Sequence, residues 1–206
     1  ARRRLLAIAL GTMAFGMQDV LLEPYGGQVL AMTVSSTTLL TATLALGGLM
    51  GFSLASNVLS RGADPFRISI AGAWVGIPAF AAVILSAPVG SVLMFTLGVL
   101  LIGFGGGLFS HGTLTATMNR APRDQIGLAL GAWGAAQATA AGVGVGLGGV
   151  LRDVVAAFAS TNTFGESLAG PATGYAFVYG LEIVLLIGAI LVMTPLIGDR
   201  DTSARR

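Results

Sequence analysis

Arginine is distributed unevenly along this chain of 206 residues, and that distribution constrains the fold more than any other feature. All eleven basic residues are arginines, and ten of them lie before, after or in alternate gaps between long apolar stretches: Arg2, Arg3, Arg4, Arg61, Arg67, Arg120, Arg123, Arg200, Arg205 and Arg206. Only Arg152 lies in one of the other gaps. Because short loops rich in arginine stay on the cytoplasmic side of a membrane, the pattern predicts six spans with both termini in the cytoplasm.

The apolar stretches are long enough for this, since a bilayer core of about 30 Å needs roughly 20 residues of helix. We predict an all-α polytopic membrane protein, one six-helix domain over residues 1–206. Polar residues and the segment 24–27 interrupt the first span near its outer end, 87–90 reads as a turn, and 152–174 as the longest loop. The predicted spans are about 5–22, 34–58, 68–86, 92–118, 127–151 and 175–196.

Composition excludes several other classes of protein. The chain is 54% hydrophobic and 10% charged, whereas a soluble domain carries roughly 25% charged residues. The net charge of +2 is explained by the loop arginines, so we predict no nucleic-acid partner. With no cysteine, the chain holds no disulfide and no thiolate metal site. No nucleophile elbow, P-loop or carboxylate cluster is present in the sequence, and we predict that the protein is not an enzyme.

Glycine, with 31 residues, is the other dominant feature. Glycines spaced four residues apart lie on one face of a helix and let two helix backbones approach closely in a membrane. Wide faces of small residues could instead accommodate a flat ligand. The segment 144–149 matches the dinucleotide fingerprint G-x-G-x-x-G, but it lies inside a predicted span and is interpreted as packing glycine. Four pairs are spaced four residues apart within spans: Gly47 and Gly51, Gly103 and Gly107, Gly127 and Gly131, Gly142 and Gly146.

Histidine occurs once, as His111 in the fourth span. Polar and ionisable residues inside a membrane are functional hypotheses by default. His111 either forms a hydrogen bond with Ser110, Thr115 or a neighbouring helix, or serves as an axial ligand to the magnesium of a pigment. The adjacent glycines at 105–107 and 112 leave room beside it in this interpretation.

The remaining polar residues of the spans lie toward the predicted outer face or in span five. Glu182 is either a proton-coupling carboxylate or a neutral acid bonded to a neighbouring helix, and Asp19 is a second candidate for proton coupling. Gln137 is the main amide inside span five. Trp133 is expected in the inner aromatic belt, and Tyr175 and Tyr179 at the outer interface.

Several segments resemble a known family. The loop at 61–67, with Gly51 before it, is similar to the loop between spans two and three of one half of a major facilitator transporter. Residues 11–27 resemble the start of the C-terminal half of the PucC/LhaA bacteriochlorophyll-delivery family. Residues 103–118 and 121–127, together with Trp133 and Gln137, resemble that family as well, so the similarity covers nearly the whole chain.

The resemblance implies a non-enzymatic factor that handles bacteriochlorophyll and delivers it to light-harvesting antenna polypeptides in a bacterial inner, intracytoplasmic photosynthetic membrane. It implies pigment contacts from Gln18, Asp19, His111, Trp133 and Gln137, with Gln18, Asp19 and His111 facing one space. Because a full member has about twelve spans, we expect a missing N-terminal half, a second copy or another membrane subunit as partner. The alternatives are half of a proton-coupled secondary transporter, and a structural subunit docked on an antenna or reaction-centre complex.

Overall fold

Helices account for almost all of the part of the chain that the computed structural model describes, residues 2–161 and 170–197. A short 3₁₀ turn at Met17–Val20 interrupts the first span, and another at Thr194–Leu196 completes the last one. Arg200, Arg205 and Arg206, and the polar loop positions Asn162 and Thr163, lie outside the described residues. The helices are α1 (Arg2–Gly16), α2 (Leu22–Val29), α3 (Val34–Ser60), α4 (Pro65–Val89), α5 (Val92–Met118), α6 (Ile126–Ser160) and α7 (Ala172–Met193).

Five of these helices, α3 to α7, are individually long and apolar enough to cross a membrane. The sixth candidate span is a bent pair, in which the segment ending at Val20 and α2 meet at 45°. Large apolar side chains are exposed along α3, α6 and α7, as lipid-facing surfaces require. The prediction of an all-α polytopic membrane protein is confirmed.

Local sequence signals fix most of the helix ends. The Asp64 carboxylate accepts a hydrogen bond from the Phe66 main-chain N–H at 2.8 Å, and Pro65 occupies the first turn of α4, where its missing N–H costs nothing. At the other end of α4, Gly90 adopts the left-handed conformation with φ of 63°, which glycine tolerates best. The predicted turn at 87–90 is therefore displaced, because α4 continues through Pro88 and turns at Gly90.

Two other predicted boundaries are wrong for identifiable reasons. The interruption of the first span lies at Met17–Leu21, whereas 24–27 is helical within α2, with Pro24 in the tolerated first turn. The fifth span does not end at 151: α6 continues to Ser160, 35 residues or about 52 Å in all. Arg152 interrupts the apolar pattern without breaking the helix, because residues 153–159 are mostly valine, alanine and phenylalanine.

The centre of the bundle is α5, which packs against α3 on one side and α4 on the other. Glycine makes these contacts possible. A Cβ at Gly51 would lie 2.1 Å from the Phe104 carbonyl oxygen, and one at Gly103 would lie 2.0 Å from the Leu44 carbonyl oxygen. Gly47 and Gly107 are equally enclosed. The packing interpretation is confirmed for these two pairs.

The glycines of α6 behave differently. Gly144 and Gly148 approach the main chain of Met13 and Met17 on the first span, so the packing interpretation of the fingerprint-like segment is confirmed for these two of its four glycines. In contrast, a Cβ at Gly127, Gly131, Gly142 or Gly146 would meet no described atom within 4 Å. Those two pairs therefore pack against nothing in the described part of the chain, and the face of α6 that carries them is open to lipid or to a partner.

Aromatic side chains fill the core at the end of the bundle where α2 meets α7. Tyr25 lies 5.3 Å from Tyr175 and 5.7 Å from Tyr179 between ring centroids, both edge to face. Its hydroxyl donates to the Val83 carbonyl oxygen at 2.8 Å. Tyr175 and Tyr179 are both 0% exposed, so they are core residues of the bundle and not the interfacial belt that the sequence predicted.

Candidate functional site

An elongated apolar groove separates α1 from α6. The two helices touch where Gly144 and Gly148 meet the first span, and they diverge toward the arginine-rich end, defined here by Arg4 and Arg120. The wider part of the groove has a volume of about 620 Å³ and walls of small or apolar side chains. Its lining comprises Leu5, Leu6, Ala9, Met13, Ala132, Ala135, Ala136, Thr139, Ala140 and Val143.

The groove continues into a second space of about 330 Å³ at the arginine-rich end, and Leu5 and Ala132 line both. Arg4, Arg120 and Trp133 line this mouth. The Arg120 guanidinium also lies 5.0 Å above the Phe66 ring and donates to the Leu196 carbonyl oxygen at 3.4 Å, which ties it to α4 and α7. Volumes of about 300–1,000 Å³ with mostly apolar walls and a few polar groups are typical of small-molecule sites.

Trp133 lines the mouth of the groove, and Gln137, one turn later on α6, lines neither part of it. The Trp133 indole N–H donates to the Thr113 hydroxyl of α5 at 3.3 Å, which orients the ring at the mouth. The Gln137 carboxamide nitrogen is buried and has no hydrogen-bond partner among the described residues. Thr12, on α1, likewise has a buried hydroxyl without a partner in that part of the chain. A ligand or an ordered water is normally sought for buried polar atoms that have no hydrogen-bond partner.

His111 lies on another side of α5. Its ring is 4.1 Å from the Phe52 ring of α3, centroid to centroid, and its Nδ1 is buried without a hydrogen-bond partner among the described residues. Positions 111 and 113 point in directions about 200° apart on a helix, and Thr113 is the residue that contacts Trp133. His111 therefore points toward α3 and away from Trp133, and the expectation that it shares one space with Gln18 and Asp19 stays a prediction.

The glycines next to His111 do not leave a cavity beside it. A Cβ at Gly105 would lie 2.7 Å from the Gly72 carbonyl oxygen of α4, and one at Gly107 would lie 2.4 Å from the Gly48 carbonyl oxygen of α3. Gly112 is enclosed by Ser69 and Pro65. These glycines bring three helix backbones together, so the free space that the sequence suggested is occupied by α3 and α4.

Gln18 and Asp19 lie in the 3₁₀ turn of the first span, far along the bundle from the arginine-rich end. Gln18 is 2% exposed, and its carboxamide nitrogen donates to the Phe15 carbonyl oxygen at 3.1 Å and to Asp19 Oδ1 at 2.9 Å. Glu182, on α7, is 0% exposed and lies close enough to Asp19 to interact electrostatically with its carboxyl group. The structure thus brings Gln18, Asp19 and Glu182 together.

One polar network around Arg152 was not predicted from the sequence. The Arg152 guanidinium donates at 2.6 Å to Gln28 Oε1 and at 2.6 Å to the Tyr175 hydroxyl, and it pairs with Asp153 at 2.5 Å. These bonds join α2, α6 and α7 at the end opposite the arginine-rich one. No local motif links residues 28, 152 and 175, and the only available signal was that Arg152 is the single arginine outside the topology pattern.

Comparison with known proteins gives consistent matches. The chain matches the PUCC protein family over residues 1–200. It is 54% identical over 193 residues to Protein PucC of Cereibacter sphaeroides, covering 94% of this chain and 41% of that protein. It is 61% identical over 155 residues to Protein PucC of Rhodovulum sulfidophilum, covering 75% of this chain and 34% of that protein.

A more distant relative is the bacteriochlorophyll synthase 44.5 kDa chain of Rhodobacter capsulatus, 28% identical over 215 residues, covering 98% of this chain and 46% of that protein. The chain spans about two fifths of the length of the PucC proteins it matches. With a family match over residues 1–200 and more than half of the residues identical to a PucC protein, the chain belongs to the PUCC family.

Proposed function

We propose that the protein is a non-enzymatic assembly factor of photosynthetic complexes that holds bacteriochlorophyll in the groove between α1 and α6 and passes it to antenna polypeptides. The observation that carries this proposal is the groove itself, about 620 Å³ of apolar space bordered by alanine and continuous with a mouth that contains Trp133. Its relatives come from photosynthetic bacteria, and one of them carries bacteriochlorophyll in its name.

The residues of the groove suit such a pigment chemically. A macrocycle with a long hydrocarbon tail needs apolar walls, which the alanines and Leu5, Leu6 and Met13 provide. Aromatic rings such as Trp133 offer a stacking surface. The guanidinium groups of Arg4 and Arg120 at the mouth are hydrogen-bond donors for the carbonyl oxygens at a pigment's polar edge. The Gln137 amide, one turn along α6 from Trp133, has a nitrogen without a partner in the described part of the chain and is a further donor.

His111 remains a candidate axial donor for pigment magnesium, but on the α3 side of α5 and not in the groove. An imidazole there would serve a pigment bound between this chain and a neighbouring subunit. Within this proposal the groove and His111 are two separate contacts, and each is tested by its own variants.

The groove is tested by tryptophan fluorescence. The chain has two tryptophans, Trp74 and Trp133, and Trp74 is 60% exposed on α4. In the Trp74→Phe background, only Trp133 fluoresces, and bacteriochlorophyll added to the protein in lipid nanodiscs should quench it saturably. Ala136→Leu, which fills the groove, should weaken the quenching at least several-fold. Ala138→Leu is the matched control, because Ala138 is exposed on the same helix and lies outside the groove. Equal quenching of the two variants would refute the groove as the pigment site.

A second candidate function, half of a proton-coupled transporter, is favoured by one specific observation: Glu182 is a completely buried carboxyl in a candidate span. The groove argues against it, since its lining is almost entirely apolar and would not stabilise a polar solute.

A further inference from the structure

The carboxyl group of Glu182 is the most deeply buried ionisable group of the described bundle apart from the tyrosines around it. It is 0% exposed and faces the break in the first span. Neither of its oxygens makes a hydrogen bond of good geometry with a described residue, although the Gln18 main chain and Asp19 lie near enough to act on it. Such a group requires an explanation, because an unsatisfied buried polar atom is costly.

Two more orphan oxygens lie around the same carboxyl. Gln18 Oε1 receives no hydrogen bond from a described residue, and the amide's nitrogen already donates to Phe15 and Asp19. The Tyr179 hydroxyl, one turn before Glu182 on α7, likewise has no partner within residues 2–161 and 170–197. Its ring is fixed between Tyr25 and Phe80, at centroid distances of 5.7 and 6.1 Å. Packing therefore fixes the position of the hydroxyl, and the phenol lies close enough to Glu182 to interact electrostatically with it.

An ionised Glu182 would not resolve this arrangement. A carboxylate and a carboxamide oxygen are both acceptors, so among these three side chains only the Tyr179 hydroxyl would be a donor for three oxygen atoms, with the Gln18 main chain as the one further group acting on the carboxyl. A buried carboxylate also needs a cation, and removing it from water without one costs several kcal/mol. None of the described groups near the site provides that cation.

The charged and titratable groups on the described elements that pack around Glu182 show why none of them supplies a cation. Asp19 of the 3₁₀ turn is an anion, and Tyr25 and Tyr175 are phenols. Arg152 of α6 is committed to Gln28, Tyr175 and Asp153. The only charged residue of α4 is Arg67, which lies in the first turn of that helix, at the arginine-rich end.

A proton on Glu182 resolves all four orphan oxygens. The acid O–H can donate to Gln18 Oε1, and the Tyr179 hydroxyl can donate to the remaining carboxyl oxygen. We propose that Glu182, Gln18 and Tyr179 form a proton-binding site at the break in the first span, and that the exposed Asp19 exchanges this proton with water. The site does not depend on pigment handling, and its test does not use pigment.

The break explains how the proton reaches a buried residue. The 3₁₀ turn places Asp19 at the surface and Gln18 inside, with a 2.9 Å hydrogen bond between their side chains. When the proton leaves, two carboxylates lie close to each other in a low-dielectric setting and repel. The packing of the bent pair against α7 therefore weakens when Glu182 loses its proton.

Infrared spectroscopy tests the proposal directly, because a protonated carboxylic acid has a carbonyl-stretch band separate from those of carboxylates. The purified chain in nanodiscs at neutral pH should show this band, and Glu182→Gln should lose it. Glu23→Gln is the matched control: Glu23 is an exposed carboxyl of the same bent span, bonded by the Thr41 hydroxyl at 3.0 Å, and its removal should leave the band in place. An unchanged band in Glu182→Gln, or no band in the parent, would overturn the proposal.

Tyr179→Phe provides an independent readout if Glu182→Gln does not fold. It removes the O–H that the proposal assigns to the carbonyl oxygen, so the band should persist and shift to higher frequency. A band that stays at the parent's frequency in Tyr179→Phe would contradict the hydrogen-bond arrangement. Glu182→Gln itself should fold, because its carboxamide N–H can donate to Gln18 Oε1 as the acid O–H does.

Discussion

At the scale of single residues, glycine determines whether the helices can approach. A Cβ at Gly103 would lie 2.0 Å from the Leu44 carbonyl oxygen, whereas one at Gly146 would meet no neighbouring atom of the described residues within 4 Å. Gly103→Ala should therefore separate α3 from α5 and destabilise the protein by about 1–3 kcal/mol, the usual cost of overpacking. Gly146→Ala should be neutral or slightly stabilising, since alanine is the better helix former. Thermal unfolding in one detergent compares the two variants, and equal midpoints would contradict the packing of α3 on α5.

His111 permits a second test at this scale. His111→Phe keeps an aromatic ring against Phe52 but removes both ring nitrogens, and His111→Asn retains an oxygen that can bind magnesium. If His111 is an axial donor, the pigment that co-purifies with the chain should fall more for Phe than for Asn. Parent-like pigment content in both variants would leave His111 as a packing residue only.

At the scale of helices, the Arg152 network is expected to hold α2, α6 and α7 together. Arg152→Ala removes two charged hydrogen bonds of 2.6 Å, each worth about 1.5–3 kcal/mol where it is shielded from water, and should lower the unfolding midpoint. Asp153→Ala removes only an ion-pair partner that is 69% exposed, a contact worth at most about 1 kcal/mol. Comparable midpoints for the two variants would show that the network contributes little.

The spans were predictable from hydropathy and arginine alone, because both signals act within single helices. The continuation of α6 past Arg152 was not, since one charge near a helix end does not end the helix. The break was expected near Gln18 and Asp19, but Pro24 suggested a position several residues too late. Whether a glycine contacts another helix depends on which helix packs against its face. The local sequence does not contain that information, so Gly103 and Gly146 looked alike.

The candidate site was predictable only in part. Gln18, Asp19, Trp133, Gln137 and Glu182 stood out as polar or aromatic residues in spans. Which of these residues lie near the groove and which lie near the buried Glu182 carboxyl depends on how helices distant in sequence pack. The i, i+3 spacing of Tyr179 and Glu182 on α7 was a usable signal, and Tyr179 was assigned to the membrane interface instead.

At the scale of the whole molecule, the arginine-rich end is predicted to face the cytoplasm. The chain lacks cysteine, so single cysteines report sidedness cleanly. Ser60→Cys, at that end, should be protected from a membrane-impermeant thiol reagent in intact cells, and Val89→Cys, exposed at the opposite end of α4, should react. The reverse result would invert the orientation.

The open face of α6 is relevant to the prediction that the chain works with a partner. Gly127, Gly131, Gly142 and Gly146 meet no described atom, and the wide groove beside them opens on the same helix. The prediction that the chain works with a further half, a second copy or another membrane subunit is consistent with this surface and remains a prediction. Its relatives are more than twice as long, which leaves protein available to cover it in those molecules.

The central claim is that this PUCC-family chain handles pigment during the assembly of photosynthetic complexes. The most direct measurement is the absorption spectrum, with mass spectrometry of co-purifying polypeptides, of the tagged chain isolated in mild detergent from a host that makes bacteriochlorophyll. We predict bound bacteriochlorophyll together with antenna polypeptides, and reduced pigment in Ala136→Leu but not in Ala138→Leu. A colourless protein that brings down no antenna polypeptide would contradict the account.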